Sequence, residues 1–225
     1  MRETSFSNQF YPLFSYFSSI FDDVDLLAFD DLITQIQTNI TTCAPGQTAP
    51  EGKACRVDLE PIRKLCDQNA TYGYADGSPC VFLQLNYHLL TNYTPVVYEA
   101  DDLVENNDLP DDLRTAKNLN GPWVECHGNT VVDQESVGSI KVAPSNVIPL
   151  NFFPYDGVNE DYMSPVIAIK FEKPATGINI GLTCRFWAKN IGTRTVFDKV
   201  TNTTRTENVD DSLPLAVLPV NLYIE

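Results

Sequence analysis

Positive charge is scarce in this chain of 225 residues: 15 Lys+Arg stand against 30 Asp+Glu, a formal net charge of −15. That shortage excludes a generic binder of the nucleic-acid backbone, which needs a basic stripe. It also excludes docking on anionic lipid through basic clusters. Long apolar runs are missing too. No stretch approaches the ~20 consecutive apolar residues of a membrane helix, and no basic-then-apolar leader runs into a small-residue cleavage site. The chain as given reads as soluble. Histidine is rare, with only His88 and His127, and no Cys-x-x-Cys pair occurs, so the usual spacings of a zinc site are absent. There is no Gly-x-Ser-x-Gly elbow, phosphate loop or dinucleotide fingerprint. Neither histidine has an evident nucleophile partner, and the carboxylates fall in polar runs rather than at a catalytic separation. No catalytic, cofactor-binding or metal-ligating residue is assigned, and no cofactor is expected.

What is present points to a folded extracellular protein. Apolar residues make up 43% and aromatics 11%, too many for a disordered acidic chain. On a prior of roughly 150 residues per domain, the length fits one large domain or two small ones. Six dispersed cysteines, Cys43, Cys55, Cys66, Cys80, Cys126 and Cys184, read as disulfides formed in an oxidising compartment. Spacing alone does not choose among their possible pairings. Four glycosylation sequons point to the same compartment: Asn39-Ile-Thr, Asn69-Ala-Thr, Asn92-Tyr-Thr and Asn202-Thr-Thr.

Periodicity divides the chain. Phe10, Leu13, Phe14, Phe17, Ile20, Phe21 and Val24 recur at spacings of three and four, which predicts an amphipathic helix with Pro12 in its first turn. Leu26, Phe29, Ile33 and Ile36 continue that pattern, and the aromatic stripe is expected to pack on a core. Residues 43–80 are loop-rich, with Pro45, Gly46, Pro50 and Gly52 breaking any helix. The acids from Glu99 to Asp112 read as a solvated loop without calcium-site spacing. Strands are predicted at Cys80–Leu85, Trp123–Cys126, Val166–Phe171, Ile178–Phe186 and Leu218–Ile224, with Pro219 suggesting an edge. Alternation puts Cys184 on the apolar face, where an inter-sheet disulfide would lie. The expected fold is mainly β, an immunoglobulin-like β-sandwich with long disulfide-stapled loops. Residues 1–42 are expected to be a helical segment packed on the domain, and residues 43–225 the sandwich itself.

Several segments resemble one family, the β subunit of the sodium/potassium-transporting ATPase and its proton/potassium pump relatives. Cys55-Arg-Val-Asp-Leu59 followed by Leu65-Cys66 is similar to the family's Cys-Arg-x-x-Leu element and next cysteine. Tyr72-Gly-Tyr-Ala-Asp-Gly-Ser-Pro-Cys80 resembles its Tyr-Gly-Tyr-x-x-Gly-x-Pro-Cys block, the most specific match. Leu85-Asn86 follows, with Gln84 in place of the family's lysine. Ile148-Pro-Leu-Asn-Phe-Phe-Pro-Tyr-Asp-Gly157 resembles an aromatic Tyr-Tyr-Pro-Tyr-Tyr-Gly segment. Pro165–Phe171 and Cys184–Ile191 resemble the last two blocks. The likeness runs in order from about Cys43 to the C-terminus, and residues 99–120 are its least family-like part.

The resemblance implies a non-catalytic subunit. It would escort the catalytic α subunit out of the endoplasmic reticulum, stabilise it in the membrane and tune extracellular potassium binding. The family's cytoplasmic tail and single membrane helix have no counterpart in this sequence, so the chain reads as the ectodomain of a type II plasma-membrane protein. Its expected partner is the α subunit, anchored alongside through a segment absent from this chain. The alternatives are an adhesion module meeting β ectodomains on neighbouring cells, and a secreted or diverged paralogue that no longer binds the pump. The resemblance also implies the pairing Cys43–Cys55, Cys66–Cys80 and Cys126–Cys184. For Phe152, Phe153, Pro154 and Tyr155 two readings stand side by side. Sequence alone favours the core, because aromatic runs are usually packed. The resemblance favours contact with an extracellular loop of the α subunit. Phe152 and Phe153 lack the hydroxyls of the family's tyrosines, and Asp156 stands where the family has an aromatic.

Overall fold

The computed structural model describes residues 4–5, 17–19, 40–44, 47–50, 53–85, 93–105, 109–116, 119–154, 164–190, 193–198, 203–208 and 217–224. Two four-stranded antiparallel sheets form its centre. One contains β1 (Thr4–Ser5), β12 (Val217–Ile224), β9 (Asn179–Trp187) and β6 (Trp123–Gly128), in that order. The other runs β2 (Phe17–Ser19), β5 (Cys80–Leu85), β8 (Val166–Glu172) and β7 (Ser139–Ala143). Two short strands, β3 (Ile40–Thr41) and β4 (Ala54–Cys55), pair in parallel, and β10 (Thr193–Asp198) forms an antiparallel pair with β11 (Thr203–Asn208). Among the described residues the short α-helices are α1 (Glu60–Leu65), α2 (Ala100–Glu105), α3 (Asp111–Arg114) and α4 (Val131–Ser136).

The alternation of the strands builds the core. Along β9, Ile180, Leu182, Cys184 and Phe186 point inward, and along β12 Val220, Leu222 and Ile224 do the same. They meet Val81, Leu83, Ile167, Ile169 and Phe171 of the second sheet in one cluster, so the sheets pack face to face as a sandwich. Fully burying each large apolar side chain contributes roughly 1.5–3 kcal/mol. The β8 run Val166-Ile-Ala-Ile169 is buried at every position. Its second face, with Phe82, lies under a separate cluster made by Ile62 of α1, Cys66 and Tyr72. The loop-rich segment thus acts as a cover for the outer face of the second sheet. Pro219 sits in β12 where β1 no longer flanks it, since β1 reaches only Tyr223 and Ile224. Among the described residues no strand pairs with Pro219 on that side, so its missing N–H costs no ladder bond there.

Three local expectations are corrected. Phe17–Ser19, expected inside a helix, is extended and pairs with the outer edge of β5 through Phe17↔Leu85 and Ser19↔Leu83. A sheet edge carries unpaired N–H and C=O groups, and pairing them outweighs a local helical period. The rest of that helical expectation lies outside the described residues. The acidic run is not a simple solvated loop. Asp101, Asp102 and Glu105 are carried on α2 and Asp111 and Asp112 on α3, whose Leu103 and Leu113, with Leu109 between them, are buried against Tyr98, Trp123 and Trp187. Cys126 and Cys184 do not span the two sheets either. They are directly opposed on neighbouring strands β6 and β9 of one sheet, with Cα atoms 4.0 Å apart.

The turn ahead of β5 depends on its glycine. Thr71 and Tyr72 both hold left-handed backbone at φ 49° and 52°, and Gly73 follows at φ 84°. Burial of Tyr72, edge-to-face on Phe82 at 5.5 Å, offsets the unfavourable backbone of two non-glycine residues. A Cβ at Gly73 would collide with the Ser78 carbonyl, whose own N–H donates to the Gly73 oxygen at 2.9 Å. Gly73→Ala is expected to cost roughly 2–3 kcal/mol, read as a lower urea midpoint. An unchanged midpoint would mean that the turn relaxes without penalty.

Candidate partner-contact surface

The aromatic segment is set by a short 3-10 turn, Leu150–Phe152, entered from Pro149 and closed by the Phe153 N–H donating to the Leu150 carbonyl at 3.0 Å. The turn drives both rings inward. Phe152 is 8% exposed and Phe153 5%, and both belong to the core shared by the two sheets. Phe153 meets the edge of Tyr93 at 6.3 Å between centroids. Pro154 is exposed, and Tyr155 lies outside the described residues. Of the four side chains expected to form a contact patch, two are therefore core, and Pro154 is the one described here at the surface. The physical reason is volume: two adjacent rings beside a proline are packed in the main core, in one cluster with Cys55 of β4 and Val124 of β6.

A clamp at the end of β9 fixes the neighbouring surface. The Asn190 carboxamide oxygen accepts from the Tyr93 hydroxyl (3.1 Å) and the Val96 N–H (2.7 Å), and its nitrogen donates to the Thr94 carbonyl (2.8 Å). The Lys189 N–H donates to the Val96 carbonyl at 2.8 Å. The Lys189 ammonium pairs with Asp102 at 2.9 Å, and the same carboxylate oxygen accepts from the Glu99 N–H. The Glu99 N–H, then Lys189, holds the Asp102 carboxyl below its ordinary range. Residues 93–102 are thereby tied to the strand that carries Cys184. Sequence reasoning did not single out Tyr93, Lys189 or Asn190. In the sequence Tyr93 stands only as the middle of a sequon, and a clamping amide has no period or spacing to reveal it.

The outer face of β6 and β9 carries a second polar group. The Trp187 indole N–H donates to Glu125 at 3.2 Å, Arg185 lies 5.7 Å from the Trp187 ring, and His127 stands 3.8 Å from Glu125. Burial pushes the Glu125 carboxyl above its usual range, although Trp187 and Arg185 pull it down. Burial, then the Arg185 charge, pushes the His127 imidazole below 6.5. Glu125 would favour the imidazolium, but 3.8 Å is beyond hydrogen-bond reach, and the two opposing effects win. The unfolded chain therefore takes up this proton at higher pH than the folded one, and stability at this site is lost as pH falls below 6.5. Unfolding titrations between neutral and mildly acidic pH should show a smaller acid loss in His127→Gln than in the parent. An equal loss in both would assign the effect elsewhere.

The six cysteines form three bridges, Cys43–Cys55, Cys66–Cys80 and Cys126–Cys184, closing separations of 12, 14 and 58 residues. Cys66, Cys80 and Cys184 are fully buried. Among the described residues no group of three His, Cys, Asp or Glu is placed to hold a metal ion, and no helix is long and apolar enough to cross a membrane. Of the sequons, Asn69 has a described backbone, within Gln68–Gly73, whereas Asn39, Asn92 and Asn202 lie outside the described residues.

Residues 28–205 match the family model described as sodium / potassium ATPase beta chain. The sodium/potassium-transporting ATPase subunit beta-2 of Drosophila melanogaster is 35% identical over 163 residues, 68% of this chain and 49% of that protein. Subunit beta-1 of the same organism is 33% identical over 66% of this chain and 48% of its own length. The human subunit beta-2 is 30% identical over 57% of this chain and 37% of its own length. The chain spans about half the length of the Drosophila relatives it matches. With residues 28–205, most of its length, inside the family match, this chain belongs to the sodium/potassium ATPase beta chain family.

Proposed function

We propose that this chain is the extracellular part of an accessory, non-catalytic β subunit that assembles with the catalytic α subunit of a P-type sodium/potassium ATPase at the plasma membrane. Its role there is to stabilise the α subunit, deliver it to the cell surface and tune extracellular potassium binding. The observation that carries this reading is the family match through residues 28–205. Three bridges and four sequons support the extracellular placement. The contact with the α subunit is proposed to run through Pro154 and Tyr155, next to the core residues Phe152 and Phe153. The natural full-length protein, captured from its own membranes, should bring down a P-type ATPase α subunit. Capture of the intact protein without any such subunit would overturn the reading.

A further inference from the structure

The Asn69-Ala70-Thr71 sequon lies inside the loop that Cys66 and Cys80 close, whereas Asn39, Asn92 and Asn202 lie outside every bridged loop. Transfer of an N-linked oligosaccharide needs an extended acceptor whose third residue offers a free hydroxyl, because asparagine and hydroxyl are read together. The folded loop presents neither. Ala70 sits at φ −93°, ψ 23°, and Thr71 at φ 49°, ψ 39°, both far from extended. The Thr71 hydroxyl donates to the Ala70 carbonyl at 2.7 Å and accepts from the Ala75 N–H at 3.1 Å. The Ala70 and Tyr72 N–H groups both donate to the Asp67 carbonyl, curling the backbone around the sequon. Tyr72, the next residue, is buried on Phe82 beneath α1, and the bridge holds the loop ends 6.0 Å apart between Cα atoms. Straightening the sequon would extract Tyr72 from that cluster and break the Asp67 turn against a closed loop.

We propose that Asn69 accepts an N-linked glycan only while Cys66 and Cys80 are still thiols, so that closure of their bridge competes with the modification and sets its occupancy. The two reactions draw on the same open loop. In transfer, the Asn69 amide nitrogen forms a bond to C1 of a sugar carried on a polyprenyl diphosphate. The bond from C1 to the diphosphate oxygen breaks, the diphosphate leaves with that electron pair, and the amide nitrogen gives up a proton. In closure, the two thiols lose two protons and two electrons to an oxidised disulfide of an oxidoreductase, and the S–S bond forms. Whichever occurs first decides the fate of Asn69. The inference rests on the extracellular reading only in requiring that this segment enter the secretory lumen.

The test is glycopeptide mass spectrometry of the full chain secreted by or retained in eukaryotic cells, scored separately at each sequon. In the parent, Asn69 should be occupied in a minority of chains. In the Cys66→Ser, Cys80→Ser variant it should be occupied in a majority. The Cys43→Ser, Cys55→Ser variant disturbs folding without opening this loop and should leave Asn69 at the parental level. Because transfer acts on the nascent chain, the readout does not require the variants to fold. Full occupancy in the parent, an equal rise in both variants, or no rise in either would overturn the proposal. Asn69 empty throughout while other sequons are filled would overturn it alone. All four sequons empty would overturn it together with the extracellular reading.

Discussion

Replacing Cys126 and Cys184 together by serine is expected to cost about 4 kcal/mol, against about 3 kcal/mol for either of the other pairs, in the chain-entropy model. The difference follows from the separations closed, 58 residues against 12 and 14. A domain of this kind has roughly 5–15 kcal/mol in total, so the first variant should be marginal and the other two folded. The position of the bridge works in the same direction. It joins the centres of β6 and β9, its sulfurs lie in the main core, and two serine hydroxyls there would be desolvated. Denaturant midpoints of the three paired variants test the order. A larger loss for the Cys66 and Cys80 pair would mean that the cover over β5 and β8 contributes more than closure of the long loop.

Phe153→Ala is expected to destabilise by about 3–5 kcal/mol, and Phe152→Ala by a similar amount, as for other large rings removed from a packed interior. Both rings are buried in the core cluster that the two sheets share, and Phe153 loses its edge contact with Tyr93 as well. Near-UV circular dichroism of the isolated chain should weaken in each variant, with a lower unfolding midpoint. Should the variants keep their midpoint and fail only in binding the α subunit, the rings would belong to the contact rather than to the core.

The strands of the sandwich were legible because their side chains alternate at a period of two. Ile180, Leu182, Cys184 and Phe186 give the buried face of β9 directly, and Leu222 and Ile224 that of β12. Alternation reports a face but not a neighbour, so it placed Cys184 inward without telling that Cys126 lies on the adjacent strand of the same sheet. Phe17 shows the opposite failure. Its helical spacing from Phe14 and Phe21 is real, but an open edge on β5 captures it as strand. In the acidic run the charges hid the informative residues: Leu103, Leu109 and Leu113 are the ones that pack on the two tryptophans. Phe152 and Phe153 were open to two readings because a ring on the surface and a ring in the core leave the same mark in a sequence. A turn that starts at Pro149 and closes on Leu150 decides between them. The Asn190 clamp left no mark at all, since its partners lie some 94–97 residues away in sequence.

The most direct measurement of the central claim is the amount of P-type ATPase α subunit reaching the cell surface, with and without the natural full-length protein that contains this chain. Cells lacking other β subunits should deliver α to the surface when the protein is co-expressed, and degrade or retain it otherwise. Surface α that is equally abundant in both cases, with the chain folded and present, would contradict assignment as its β subunit.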